Sequence, residues 1–157
     1  MAYTYAVRGW MELSWPDAEF EGVDETAEEH TEKVRRVREL LTVSQPEEEL
    51  LQEDAPVRDR LKAGWAFPQY DLEGTEYIFF GTDAVEDPAD VMSLLKEILA
   101  IDKFADGYFT VEGEDGEQYR QWLIISGKVF TRKELFPDFD QEGTPSGYAL
   151  VFDAASS

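Results

Sequence analysis

Apolar and polar residues alternate through the start of the chain. Tyr3, Tyr5, Val7, Met11 and Leu13 share one parity, and Thr4, Arg8 and Glu12 the other. A period of two belongs to a strand with one buried face, so residues 3–13 are expected to form one, ended by Trp15-Pro16. Gly9 interrupts the apolar series, which points to a bulge or to the close approach of another backbone. Trp10 falls on the opposite face, where it is exposed or covers a second core.

Past the loop PDAEFEGVDE the period becomes helical. Val34, Val37, Leu40 and Leu41 recur on one face, and Thr26 and Glu29 have the spacing of a capping box. Glu25, Glu28, Glu29 and Glu32 come first, and Lys33, Arg35, Arg36 and Arg38 last, the order a helix dipole favours. The arginines invite comparison with a phosphate cradle, but the dipole and i,i+4 pairing with the glutamates account for them. Ser44 and Glu47 predict a cap for a second helical segment with Pro46 in its first turn. That segment carries Leu50, Leu51, Val57 and Leu61, is divided by Pro56 into two short pieces, and stops at Gly64. Its apolar signal is the weakest in the chain, which marks it as a mobile or partner-facing element.

Residues 65–74, WAFPQYDLEG, read as an aromatic loop, and residues 76–82, EYIFFGT, as a short apolar strand placed centrally in a sheet. The clearest helix follows. Asp87 caps it, Pro88 takes its first position, and Val91, Leu94, Leu95, Ile98 and Leu99 make a broad stripe through to Ile101. It is expected to lie across the sheet.

Two strands, DGYFTVEGE and EQYRQWLIIS, are joined by Asp115-Gly116, a pair suited to a type I′ turn. That turn sets Glu114 opposite Glu117, Glu112 opposite Tyr119, Val111 opposite Arg120 and Phe109 opposite Trp122. A turn at residues 126–128 leads into KVFTR, Thr131 and Glu134 offer a capping box for a one-turn helix through Leu135, and residues 147–152, GYALVF, read as a last strand. A run of strands after one strongly amphipathic helix argues for an α+β fold. The expectation is one domain over residues 1–157, a mostly antiparallel sheet of about five to six strands against two or three helices.

With 43% hydrophobic residues the chain is globular and not a disordered acidic tail. It has no cysteine, which excludes disulfides, thiol catalysis and cysteine-bound zinc. The start lacks the basic and apolar stretches of a signal peptide, and no apolar run reaches the length of a membrane span, so a soluble, cytoplasmic protein is expected. The net charge of −21 argues against direct contact with nucleic acid or an anionic membrane and favours a basic protein partner. Adaptation to a salty cytoplasm would produce the same charge.

Catalytic apparatus is not evident. The single histidine, His30, follows Glu29 in the first turns of a helix, where a surface position is expected, and no G-x-S-x-G elbow or phosphate-binding loop is present. Carboxylates are plentiful, but no spacing selects a glycosidase pair. The acids at VEGEDGEQYR, residues 111–120, leave three readings: a calcium site, although the EF-hand spacing is missing; a binding surface; or a solvated tip that guards a sheet edge. Among the aromatics, Trp122 is assigned to the core, whereas Trp65 and Phe67, in a loop, are the better candidates for contact with a partner.

The stretches YAVRGWMEL and GYFTVEGEDGEQYRQWLIISGKV resemble a group of small uncharacterised bacterial and phage proteins. Members of that group begin with a tyrosine-rich strand carrying an internal glycine and continue to a strand pair ending in a glycine turn. The resemblance implies a standalone bacterial or phage domain and carries over no activity and no functional residue.

These readings converge on a non-enzymatic acidic binding protein, of the inhibitor, immunity or anti-defence kind, without cofactor or metal, that occupies a basic surface of another protein, a nucleic-acid-binding surface among the candidates. Its expected contact residues are Glu112, Glu114, Asp115 and Glu117, with Glu47, Glu48 and Glu49 as a second patch and Trp65 and Phe67 beside them. The alternatives are an acidic housekeeping domain of a salt-adapted host and a carboxylate-based enzyme or carbohydrate binder.

Overall fold

The computed structural model of the chain describes residues 3–68, 76–133 and 138–156. In chain order the elements are β1 (Tyr5–Glu12), α1 (Ala18–Glu21), α2 (Ala27–Leu41), α3 (Glu47–Leu50), α4 (Val57–Lys62), β2 (Trp65–Ala66), β3 (Tyr77–Val85), α5 (Pro88–Ile101), β4 (Asp106–Gly113), β5 (Tyr119–Ile125) and β6 (Lys128–Lys133), with a short 3-10 turn at Ala154–Ser156. The strands form one antiparallel sheet in the order β2-β3-β1-β4-β5-β6. The architecture is α+β, as the pattern of the chain indicates.

One parity of each strand faces the helices. Val7 and Met11 of β1, Ile78 and Phe80 of β3, Phe109 and Val111 of β4, and Trp122 and Ile124 of β5 are buried in a single cluster. They meet Val34, Val37 and Leu41 of α2 and Val91, Leu94, Leu95 and Ile98 of α5. Each such side chain stabilises the fold by about 1.5–3 kcal/mol on full burial. Gly9 lies opposite both Phe80 and Phe109. A Cβ there would collide with the Phe109 ring and the Tyr108 carbonyl, so the glycine marks a close approach and not a bulge. The irregularity in β1 lies between Tyr5 and Val7.

The capping box of α2 is present: Glu29 N–H donates to Thr26 Oγ1 at 3.1 Å and Thr26 N–H to Glu29 Oε2 at 3.3 Å. Asp87 caps α5 by accepting from Ala89 N–H at 2.9 Å, with Pro88 in the first turn. Ser44 does not cap α3, whose N-cap is Pro46 without a side-chain bond. A Ser44 cap would place Gln45 in helical conformation directly before a proline, which the proline ring disfavours. Pro56 separates α3 from α4 as expected.

Several connections depart from the sequence reading. Trp65–Ala66 is an edge strand on β3 where a loop is expected, and β3 runs on to Val85. The β4–β5 turn is not type I′. Gly116 has φ 74° but Asp115 does not enter the left-handed region, and the strands close through Gly113 N–H to Gln118 O (2.7 Å) and Gly116 N–H to Gly113 O (2.9 Å). Asp115 Oδ1 accepts from Glu117 N–H at 2.9 Å, which holds this longer turn and removes Glu114 and Glu117 from direct opposition. Below the turn the register is the expected one, with Glu112, Val111 and Phe109 opposite Tyr119, Arg120 and Trp122. The two-residue turn with both φ values positive is instead Ser126-Gly127, between β5 and β6.

Residues 147–152 are not a strand. Ser146 N–H bonds to Asp138 O at 2.7 Å and Asp140 N–H to Thr144 O at 2.9 Å, so residues 138–146 close on themselves. The segment beyond them pairs with no strand among the described residues. Thr131 belongs to β6, and Glu134 and Leu135, the rest of the expected one-turn helix, lie outside the described residues.

Candidate partner-binding groove

The weakly apolar segment between α2 and the sheet forms one wall of an open groove of ≈ 500 Å³. Leu61 and Val85 are its buried floor, and Leu50, Leu51 and Val57 line it from α3 and α4. Leu51 is 75% exposed and Val57 47%, because α3 and α4 are too short to turn every apolar side chain inward. Arg58 of α4 pairs with Glu97 of α5 (Nη2 to Oε1 2.8 Å), which ties the wall to the central helix. This hydrogen bond holds the Glu97 carboxyl below its ordinary range and raises Arg58.

The rim is acidic. Glu47, Glu86, Asp87 and Asp90 border the groove with one base, Arg60, whose Nη2 is bonded to Ala55 O at 3.0 Å. The cause is local. Both α3 and α5 begin here, and acids are favoured at helix N-termini. Two helix starts at one groove set four carboxylates around an apolar floor.

Of the residues expected to meet a partner, Glu47 lies on this rim, and Glu48 and Glu49 are exposed on the same helical turn. The hairpin acids lie elsewhere, on the surface, and three of them are bonded to β1 or to the residues just before it. Glu114 Oε1 accepts from Thr4 N–H at 3.1 Å, Asp115 Oδ1 from the Tyr3 hydroxyl at 2.5 Å, and Glu112 pairs with Arg8 at 3.3 Å. Glu117 is exposed and gives its N–H to Asp115. The cluster therefore fastens the start of β1 to the β4–β5 turn. The hydrogen bond that the Tyr3 hydroxyl donates to Asp115 is lost on ionisation, and this, with the nearby carboxylate charge, pushes the phenol from 10.0 up to about 12. Folding thus gains from this group below pH 10 and loses that gain as pH rises from 10 through about 12. In an ultraviolet titration of the wild type against Tyr3→Phe, the difference signal should appear near pH 12, and in the Asp115→Asn background near pH 10.

Neither Trp65 nor Phe67 lines the groove. Trp65 is 8% exposed and packs on Phe80 and Phe109 at ring-centroid distances of 4.9 and 6.1 Å. Pairing of β2 with β3 turns it into the core. Phe67 is half-buried, with the Arg38 guanidinium 5.5 Å from its ring centre.

His30 does not stand at the surface. It is buried, stacked on Trp15 at 4.4 Å with 13° between the planes, and its Nδ1 lies 3.1 Å from Glu25 Oε2. Beside it, buried Lys33 reaches Glu25 at 3.0 Å, Asp102 Oδ1 at 3.3 Å and Ser14 O at 3.3 Å. Asp102 is the C-cap of α5 and also accepts from Phe104 N–H at 3.0 Å. Burial raises its carboxyl above the ordinary aspartate value, partly offset by Phe104 N–H and Lys33. The cluster joins the loop before α2, α2 itself and the end of α5. Glu25 and Lys33 also border a shallow, open surface pocket with Arg36 and Ile101.

Among the described residues no group of three or more histidine, aspartate or glutamate side chains is arranged to hold a metal ion, and no helix is long and apolar enough to cross a membrane. Compared with known proteins, the chain matches no family, no curated sequence and no solved structure.

Proposed function

We propose that this chain is a non-enzymatic acidic binding protein, an inhibitor of the immunity or anti-defence kind, whose partner is a basic protein surface, with a nucleic-acid-binding surface as the leading case. The observation that carries this reading is the coincidence of the apolar groove with the acidic rim. An apolar side chain of the partner seats between Leu51, Val57 and Leu61, and neighbouring lysines or arginines meet Glu47, Glu86, Asp87 and Asp90. The net charge of −21 steers such a partner and speeds association at low salt. The contact surface in this reading is the groove, since three of the four hairpin acids are already engaged within the chain.

The test is capture of a partner from host lysate at low and moderate salt, competition with duplex DNA, and then affinity measurements on variants. Leu51→Ser with Val57→Ser should weaken binding by tenfold or more, a loss of about 1.4 kcal/mol. Glu47→Lys with Asp90→Lys should slow association and flatten its salt dependence. Reversing the charges of Glu112, Glu114, Asp115 and Glu117 should leave affinity within about threefold once folding is confirmed, since rim charges remote from a contact act weakly. Full binding by the groove variants, or capture of nothing sensitive to salt, rejects the proposal. The latter result would assign the acidity to solvation in a salty host.

A further inference from the structure

The sheet has a second face. In the register of the strands, Phe79, Trp10, Tyr108, Leu123 and Phe130 are successive neighbours across β3, β1, β4, β5 and β6. All five lie on the side away from the helices, flanked by Tyr77 and Ile125. Trp10 is 37% exposed, Phe79 46%, Leu123 44% and Phe130 52%. An aromatic row crossing five strands is more apolar surface than a solvated sheet normally shows.

The same chain carries a second uncovered apolar feature. Tyr148, Leu150, Val151 and Phe152 are 69–96% exposed. Tyr148, Leu150 and Phe152 alternate as an extended segment requires. Residues 147–152 extended span about 17 Å, and the row across five strands, at about 4.8 Å per strand, spans about 19 Å. The lengths match.

We infer that two copies of this chain associate, each laying residues 147–152 across the open sheet face of the other. The occupant is a second copy because, among the described residues, 147–152 join no strand of their own sheet and leave Tyr148, Leu150 and Phe152 exposed. The loop before it is closed by Ser146 to Asp138 and Asp140 to Thr144, with Asp140 Oδ1 also accepting from Glu142 and Thr144 N–H at 2.9 and 2.8 Å. Tyr148 N–H is tied back to Pro145 O at 3.1 Å. The charge on this face is mixed: Arg8 is ion-paired with Asp83 and Glu112, and Lys128 and Arg132 stand on β6 beside Phe130. Reciprocal exchange gives a closed two-fold dimer with two equal contacts. The partner-binding groove is on the helix side of the sheet, so the two sites do not compete.

Sedimentation equilibrium over a concentration series tests this. The wild type should dimerise, and more tightly as salt rises, because screening relieves repulsion between the two acidic copies. A chain ending at Ser146 should be monomeric, as should Trp10→Ser with Phe130→Ser, each with unchanged far-ultraviolet circular dichroism. Mixing the two should restore a heterodimer, because each supplies the surface the other lacks. A dimer that survives loss of residues 147–157 overturns the inference. So does a wild-type monomer at every concentration, whether its tail is protected from hydrogen exchange, which would place it on its own sheet, or unprotected.

Discussion

Lys33→Met lowers the unfolding free energy by about 3–5 kcal/mol at neutral pH, the loss expected when one partner of a buried charge network is removed. Lys33 lies between Glu25, 3.0 Å away, and the wholly buried Asp102, 3.3 Å away. Methionine fills the same volume but leaves two carboxylates facing an uncharged apolar side chain. The effect depends on pH with a definite sign. Burial already raises Asp102 above its ordinary 3.8, and Lys33 is among the influences holding it down. The folded chain therefore binds this proton more readily than the unfolded chain does. The group favours folding most below pH 3.8, and that contribution is lost as pH rises through its raised value. Without Lys33 the raised value moves higher, so the deficit of the variant grows from acid to neutral pH. Urea unfolding of both proteins across that range measures it. Adding Glu25→Gln and Asp102→Asn to Lys33→Met should recover most of the loss, and a deficit independent of pH would show that packing, not charge, is responsible.

Gly9→Ala destabilises by about 3 kcal/mol, at the upper end for added volume in a packed core. The new methyl group would overlap the Phe109 ring and also the Tyr108 carbonyl, which is main chain and cannot rotate away. β1 and β4 must separate, and they are the central pair of the sheet. Gly81→Ala is the matched control: it pairs with Arg8 in the same ladder, and its added methyl group meets nothing within 4 Å. It should be neutral or stabilising by about 0.4–1 kcal/mol. Denaturation midpoints with unchanged slopes would confirm both, and equal losses would rule out the packing explanation for Gly9.

What the chain reveals of itself follows from how local each signal is. The capping box at Thr26, the cap and stripe of α5, and the Phe109–Trp122 register depend on neighbours in sequence, and they are legible. The burial of His30 and Lys33 was legible in principle. They stand four positions before Val34 and Val37 on the stripe that ends at Leu41, but a search for apolar residues passes over polar ones. Their partners Trp15, Glu25 and Asp102 arrive from other elements and leave no trace in the helix itself. The groove is invisible for the same reason, since it forms only where two helix starts meet the end of β3. Residues 147–152 show the converse. Their composition is that of a strand, and a strand exists only when another offers it hydrogen bonds.

The position of β1 also has a consequence during synthesis on the ribosome. The first strand made is the one the sheet is built around, held between β3 and β4. Its partners emerge only with Tyr77–Val85 and Asp106–Gly113. Until then Val7, Met11 and Leu13 have no sheet to join, and the nascent chain must carry them uncovered. Completion of the sheet is therefore a late event, and a truncation that removes β1 separates β2-β3 from β4-β5-β6 instead of trimming an end.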